Sequence, residues 1–313
     1  MPAGGVTLFN GMPIGLFLDA QLDVFKIQAS KIPDYTAQFF QEQSTDLYRE
    51  NFLSRPGIGL FNTWDGEGTT GIEMLQAGYE TTIQQAFWRK QVAYTYKFKK
   101  FARYADVMSD LTHSLAIAAM ATKNSISMAW VVAQIAGTNG VYWNATAAKY
   151  LFSTTHTLAN GDTYVNKVAV PFTPTTLGDA ITSLMNTPDE QGNAMDYATG
   201  GIDVWIAASK LLYAREVIGD GIQYKSDQAN FTKNVLNDYS INLKPVASSV
   251  WPAGYWVVKP SDLKKTKLIS RVSEAVNSVQ YYRNEDRATI HDASFAFQIG
   301  AADFRGIYAS TGS

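Results

Sequence analysis

From Asp106 to Ala136 the chain reads DVMSDLTHSLAIAAMATKNSISMAWVVAQIA, with no proline or glycine, and Gly137 follows. Strong helix formers fill this stretch, and a glycine just past the last periodic residue is a stop signal. Leu111, Leu115, Ala119, Ile126 and Trp130 form one apolar stripe, and Ile117, Met120, Met128, Val131 and Ile135 a second. At 1.5 Å per residue such a helix spans about 46 Å. Apolar residues on two sides predict a central spine packed on more than one face. Thr122, Lys123, Asn124 and Ser125 interrupt the apolar run, so it does not read as a membrane span.

Upstream of the spine, Val92, Tyr94, Tyr96 and Phe98 alternate with Gln91, Ala93, Thr95, Lys97 and Lys99. This period of two predicts a half-buried strand. Ser54-Arg55-Pro56-Gly57 is a turn, and the run from Trp64 to Gly71 is polar and rich in glycine. Together they predict a long, twisted hairpin over 52–100, which has too little core to stand alone and is expected to lie on a partner. Residues 1–16, with Gly4, Gly5, Gly11 and Gly15, read as an extended arm. Leu18, Leu22 and Phe25 then sit at helical spacing, and Lys31-Ile32-Pro33 closes that short helix.

Downstream, the pattern is mixed. Helices are expected over 174–185 and 211–218, and strands over 203–207, 254–259, 278–283 and 288–299. Residues 224–239, rich in Asn, Asp and Lys, read as an exposed loop. The fold class is α+β.

Composition narrows the function. With 313 residues the chain can bury a sizeable core without staples. There is no cysteine, which removes disulfides, zinc–thiolate sites and cysteine nucleophiles, and fits folding in a reducing cytosol. No signal peptide is visible before Asp19. A formal net charge of −2 argues against tight duplex binding as the main activity. Aromatic residues make up 13% of the chain, which fits large cores and protein interfaces.

Reactive chemistry finds little support. His113, His156 and His291 could with a serine and Asp292 supply a hydrolytic triad, but no nucleophile elbow orders the roles. No histidine pair has metal-ligand spacing, so no metal is expected. Asp65, Glu67, Glu73 and Glu80 do not match a calcium loop, and Gly66-Glu67-Gly68 lacks the lysine of a phosphate cradle. Lys97, Lys99, Lys100 and Arg103, and separately Lys264, Lys265 and Lys267, are basic groups that could touch phosphates; a solvated face is the plainer reading. Neither a catalytic nor a cofactor site emerges.

The order of parts resembles the fold of tailed-bacteriophage major capsid proteins: N-terminal arm, extended E-loop, peripheral (P) domain with a long spine helix, and axial (A) domain. More narrowly, the chain is similar to the Mu-like prophage major head subunit family. The resemblance rests on Leu151-Phe152-Ser153-Thr154-Thr155-His156, Asp189-Glu190-Gln191-Gly192, Tyr281-Tyr282-Arg283 and the closing Asp303-Phe304-Arg305-Gly306-Ile307-Tyr308. It runs from about residue 40 onward. That family has a proline after the histidine, where this chain has Thr157, and residues 1–35 match nothing in it.

The resemblance implies a division of the chain. Residues 1–35 form the arm and short helix; 36–51, 101–194 and 266–313 the P-domain; 52–100 the E-loop; and 195–265 the A-domain. It implies pentamers and hexamers closing an icosahedral shell around double-stranded DNA, in a virion assembled in the bacterial cytoplasm. Implied partners are further copies of the chain, a portal, a separate scaffold and decoration proteins, with no membrane. Phe61, Trp64, Phe87 and Trp88 are then candidate E-loop contacts between subunits, and Leu18, Leu22 and Phe25 candidate arm contacts. Lys97, Lys99, Lys100 and Arg103 are candidates for an inner, DNA-facing basic group, with a solvated face still the plainer reading. Rivals are an encapsulin-type shell enclosing a cargo enzyme, an intracellular α/β hydrolase using His156 or His291, and a phage tail or decoration protein.

Overall fold

The computed structural model describes residues 8–9, 12–53, 79–94, 104–144, 148–158, 160–189, 191–219, 222–223, 232–233, 240–247, 249–283 and 288–312. Among these residues the α-helices are α1 (Ile14–Ser30), α2 (Tyr35–Phe39), α3 (Tyr104–Ala136), α4 (Pro174–Met185) and α5 (Leu211–Ile218). The principal strands are β1 (Gln41–Ser44), β2 (Arg49–Leu53), β3 (Glu80–Gln84), β4 (Ala86–Tyr94), β5 (Lys167–Val168) and β6 (Ile202–Ala207). They continue with β7 (Ile241–Val246), β8 (Trp256–Pro260), β9 (Leu268–Arg283), β10 (Ala288–Ala301) and β11 (Tyr308–Ser310). The expected α+β class is what the chain adopts.

The spine is α3, two residues longer at its start than the periodicity predicted. Both expected stripes are buried, Leu115 and Ala119 of the first and Met120, Met128, Val131 and Ile135 of the second, while Ile117 near the start of the second is exposed. Between them four polar positions that the apolar pattern left out, Lys123, Asn124, Ser127 and Gln134, are buried as well. Each is satisfied by the chain packed against it. Lys123 Nζ reaches Asp34 Oδ2 at 2.8 Å and Glu42 Oε2 at 3.0 Å. Asn124 donates to the Pro33 carbonyl and accepts from the Tyr35 amide, and Ser127 pairs with Thr36 at 2.7 Å. Gln134 accepts from the Leu151 amide and donates to the Val141 carbonyl. The stretch Asp110–Ala136 is long and apolar enough to cross a bilayer by length and composition. Those polar groups, buried and paired within the chain, make it a core helix instead.

Two sheets flank the spine. The first has the order β1-β9-β10-β4, with β1 parallel to β9 and the other pairs antiparallel. β9 begins ten residues before the strand expected at Ser278. Its early half hides from pattern reading because register shifts between Val272 and Glu274 and between Glu274 and Asn277 break the alternation. The antiparallel pair β2–β3, from Leu53↔Glu80 to Arg49↔Gln84, is the base of the expected hairpin, and β4 returns from it into the sheet. The segment 54–78, and with it the turn and glycine-rich stretch, lies outside the described residues, as do Tyr96 and Phe98 and nearly all of 224–239.

The second sheet, β7-β6-β8-β11-β5, divides two hydrophobic cores. Along β6 every residue is buried, and alternate side chains go to opposite sides. Ile202, Val204 and Ile206 enter one core with Leu177, Ile181 and Leu184 of α4, whereas Trp205 and Ala207 enter the larger core around α3. There Phe39 of α2 meets Trp205 edge-on at 4.9 Å. The sheet takes β5 and β11 from outside residues 195–265, and α4, also outside that range, covers its far face. A helix start is spelled out at α4: Thr173 and Thr176 form a reciprocal capping box, with Pro174 in the first turn.

Candidate assembly interface

Two of the sequence segments quoted for the family resemblance, 151–156 and 303–308, meet in space. Phe304 lies flat on His156, ring centroids 3.9 Å apart and planes 3° off parallel. Asn166, fully buried, ties the same two segments together. Its Nδ2 donates to the carbonyls of Leu151 and Phe304, each at 3.0 Å, and its Oδ1 accepts from the Ser153 amide at 2.9 Å. His156 Nε2 faces that oxygen at 3.1 Å. Burial holds the imidazole well below its ordinary pKa, at about 4, against the opposing hydrogen bond from Asn166. Asp303 and Arg305 pair at 2.8 Å. Gly306 has φ +72°, and a Cβ there would meet the Tyr197 ring at 2.6 Å, so only glycine fits the turn. Asp189 closes its own turn by accepting from the amides of Gln191 and Asn193. With His156, Asn166 and Phe304 all buried, this is a structural junction.

The other histidines do not join it. His113 is exposed on α3. His291 is buried on β10 with Nδ1 3.0 Å from Gln280 Nε2, and burial lowers its pKa to about 4. Asp292 is adjacent in sequence but points to the opposite face of the strand, where Arg89 and Gln91 hold it. The geometry of a triad is absent among the described residues. Lys259 on β8 is buried completely, 3.6 Å from Asp203 Oδ2 on the neighbouring strand. Burial lowers its pKa to about 8, with Asp203 opposing. Among the described residues no three His, Asp or Glu gather as a metal site.

The outward surfaces are more informative. Phe87 is 68% exposed at the start of β4, stacked on Tyr48, itself exposed, at 6.4 Å. Leu47 and Leu53 are exposed beside the same hairpin base. Trp88, one residue on, turns inward and stacks on Phe295. On α1, Phe25 is fully buried in the main core and Leu22 is half-buried. Phe61, Trp64, the Leu18 side chain, Lys97, Lys99, Lys100 and Arg103 lie outside the described residues. Further apolar exposure sits at Leu212 and Tyr213 on α5, and at Val279 and Tyr282 toward the far end of β9. Tyr48 was not among the contacts expected from the sequence.

No protein-family model matches the sequence, and no curated protein sequence matches it significantly. Solved structures do match. A virus-like particle from Pyrococcus furiosus aligns over 94% of this chain and 99% of its own, at 12% identity and a TM-score of 0.52. The structure from Mycobacterium phage Patience covers 98% of this chain and 91% of its own, at 11% identity and 0.53. The capsid of Cyanophage P-SCSP1u covers 90% and 88%, at 11% identity and 0.55. Similarity that runs nearly end to end on both sides makes the overall architecture common to all four. The chain therefore has the fold of tailed-phage major capsid proteins.

Proposed function

We propose that this chain is a major capsid subunit, self-assembling into pentamers and hexamers that close an icosahedral shell around double-stranded DNA. The observation that carries it is the near-complete, two-way match to capsid structures. The molecule has a second feature suited to assembly. Its hairpin base presents Leu47, Tyr48, Leu53 and Phe87 to solvent, an exposed apolar cluster of the kind that marks contact surfaces. On this reading the hairpin over 52–100 is the E-loop and reaches a neighbouring subunit through Phe87, and through Phe61 and Trp64. Residues 195–265 would then cluster at capsomer axes, and the spine with β9 and β10 would form the P-domain. The role is structural and non-enzymatic, the narrower kinship is with Mu-like head subunits, and a separate scaffold and a portal complete the head.

Negative-stain electron microscopy with light scattering tests this directly. Closed shells of uniform diameter, or capsomers that convert to shells when conditions change, are expected. A chain that stays monomeric at high concentration, even when co-expressed with its scaffold and portal, overturns the reading.

A further inference from the structure

Where β1 parts from β9, the first sheet opens. Pairing ends at Val272↔Ser44, and the register shift that follows displaces Ser273 and Glu274. The gap is a cavity of about 410 Å³ between that bulge, the turn carrying Asp46 and Tyr48, and the β3–β4 junction with Gln85 and Phe87. Its lining is unusual in sign. Two carboxylates, Asp46 and Glu274, reach it, and no lysine, arginine or histidine does among the described residues. Arg271 of the same strand is engaged by Glu50 at 2.8 Å and lies over Phe52. Glu274 accepts one hydrogen bond, from Ser294, and Asp46 forms no ion pair among the described residues. Gln85 in the wall is 5% exposed, yet its Oε1 has no hydrogen-bond partner. A buried acceptor left unpaired costs free energy until a donor arrives.

We propose that this pocket is a socket for a lysine or arginine side chain from a second copy of this chain. The chemistry matches in three ways. Stacked Tyr48 and Phe87 offer aromatic faces of the kind over which a guanidinium or ammonium settles. The carboxylates supply charge-assisted acceptors, and Gln85 supplies a neutral one. The rim is apolar, through Leu47 as well as the two rings. A free cation would leave that rim wet, whereas a side chain borne on another protein surface covers it and excludes water from the pair. The inference rests on the shell-subunit reading only for supplying the second copy.

The test compares wild type with Asp46→Lys, Asp46→Asn and Phe87→Ser by sedimentation velocity over concentration and salt, with electron microscopy of the products. These positions are exposed, so circular dichroism and melting of the dissociated chains should match wild type. Asp46→Lys should raise the concentration needed for assembly about tenfold or more, Asp46→Asn less, and Phe87→Ser comparably to the charge reversal. In about 1 M salt, where the screening length falls to about 3 Å, the gap between wild type and Asp46→Lys should narrow. If Asp46→Lys forms shells at the wild-type concentration and salt response, the socket is refuted and the shell reading stands. If wild type forms small oligomers that never convert to shells, even with scaffold and portal present, and Asp46→Lys weakens them, the socket stands and the shell reading falls. A wild type that never self-associates, even with scaffold and portal present, refutes both.

Discussion

Asn166 uses its side-chain amide four times, to Leu151, Ser153, His156 and Phe304, inside a site with no water access. Each partner is itself buried or part-buried, so removing the amide strands donors and acceptors on both sides of the junction. Unpaired buried groups cost about 1–3 kcal/mol each. Asn166→Ala should therefore destabilise the chain by about 3 kcal/mol or more, seen as a clear fall in melting temperature. Thr157→Pro, at the position where the resembled family carries proline, changes the exposed residue of a two-residue strand whose other residue is the buried His156, and offers a milder contrast. Nothing in the composition around Asn166 singled it out. Its weight comes from segments 138 residues apart meeting at one side chain.

The spine helix shows how an element can be legible while its facing is not. Absence of proline and glycine and the stop at Gly137 announced the helix. The buried face, however, carries Lys123, Asn124, Ser127 and Gln134, which a hydrophobic count assigns to solvent. The first three are tolerable there because α2 and the turn before it bring matching groups, with Asp34 both capping α2 and pairing with Lys123, and Gln134 bonds the backbone of Val141 and Leu151. Val131 and Ile117 were assigned to one stripe by spacing, yet Val131 is fully buried and Ile117 is exposed. Val131→Asp should cost several kcal/mol by placing a charge in the core. Ile117→Asp should change stability by about 0.5 kcal/mol or less in the dissociated chain. Denaturant melts of the two variants separate the packed length of the second stripe from its exposed start.

At the scale of the whole molecule, two buried imidazoles make stability depend on pH. His156 and His291 have folded pKa values of about 4, below the ordinary value of 6.5. Each therefore stays neutral in the folded chain while the unfolded chain takes up a proton below pH 6.5. The stabilisation is complete above that pH and is lost as pH falls from 6.5 toward 4. Between pH 7 and pH 5 the loss is on the order of 1–2 kcal/mol per histidine. Asp292, whose pKa Arg89 pulls down, contributes its own loss only at lower pH, as the carboxylate protonates. Melting the dissociated chain at pH 7 and pH 5 should show the slope, and His156→Gln with His291→Gln should flatten it. An unchanged slope in the double variant would assign the acid sensitivity elsewhere.

Local pattern by itself determined the spine helix, the bounds of α4 and α5, and the strands around 203–207 and 288–299, because caps, glycine stops and periodicity act within a few residues. Resemblance in short motifs pointed to the capsid fold. Tertiary structure alone decided the rest. It buried four polar positions of the spine, since they find partners from distant turns. It also decided the extent of β9, since bulges erase the alternation, and the grouping of β5 and β11 with β6 and β8. That grouping and the acidic pocket beneath Phe87 both depend on contacts between residues far apart in sequence, where no local signal can accumulate.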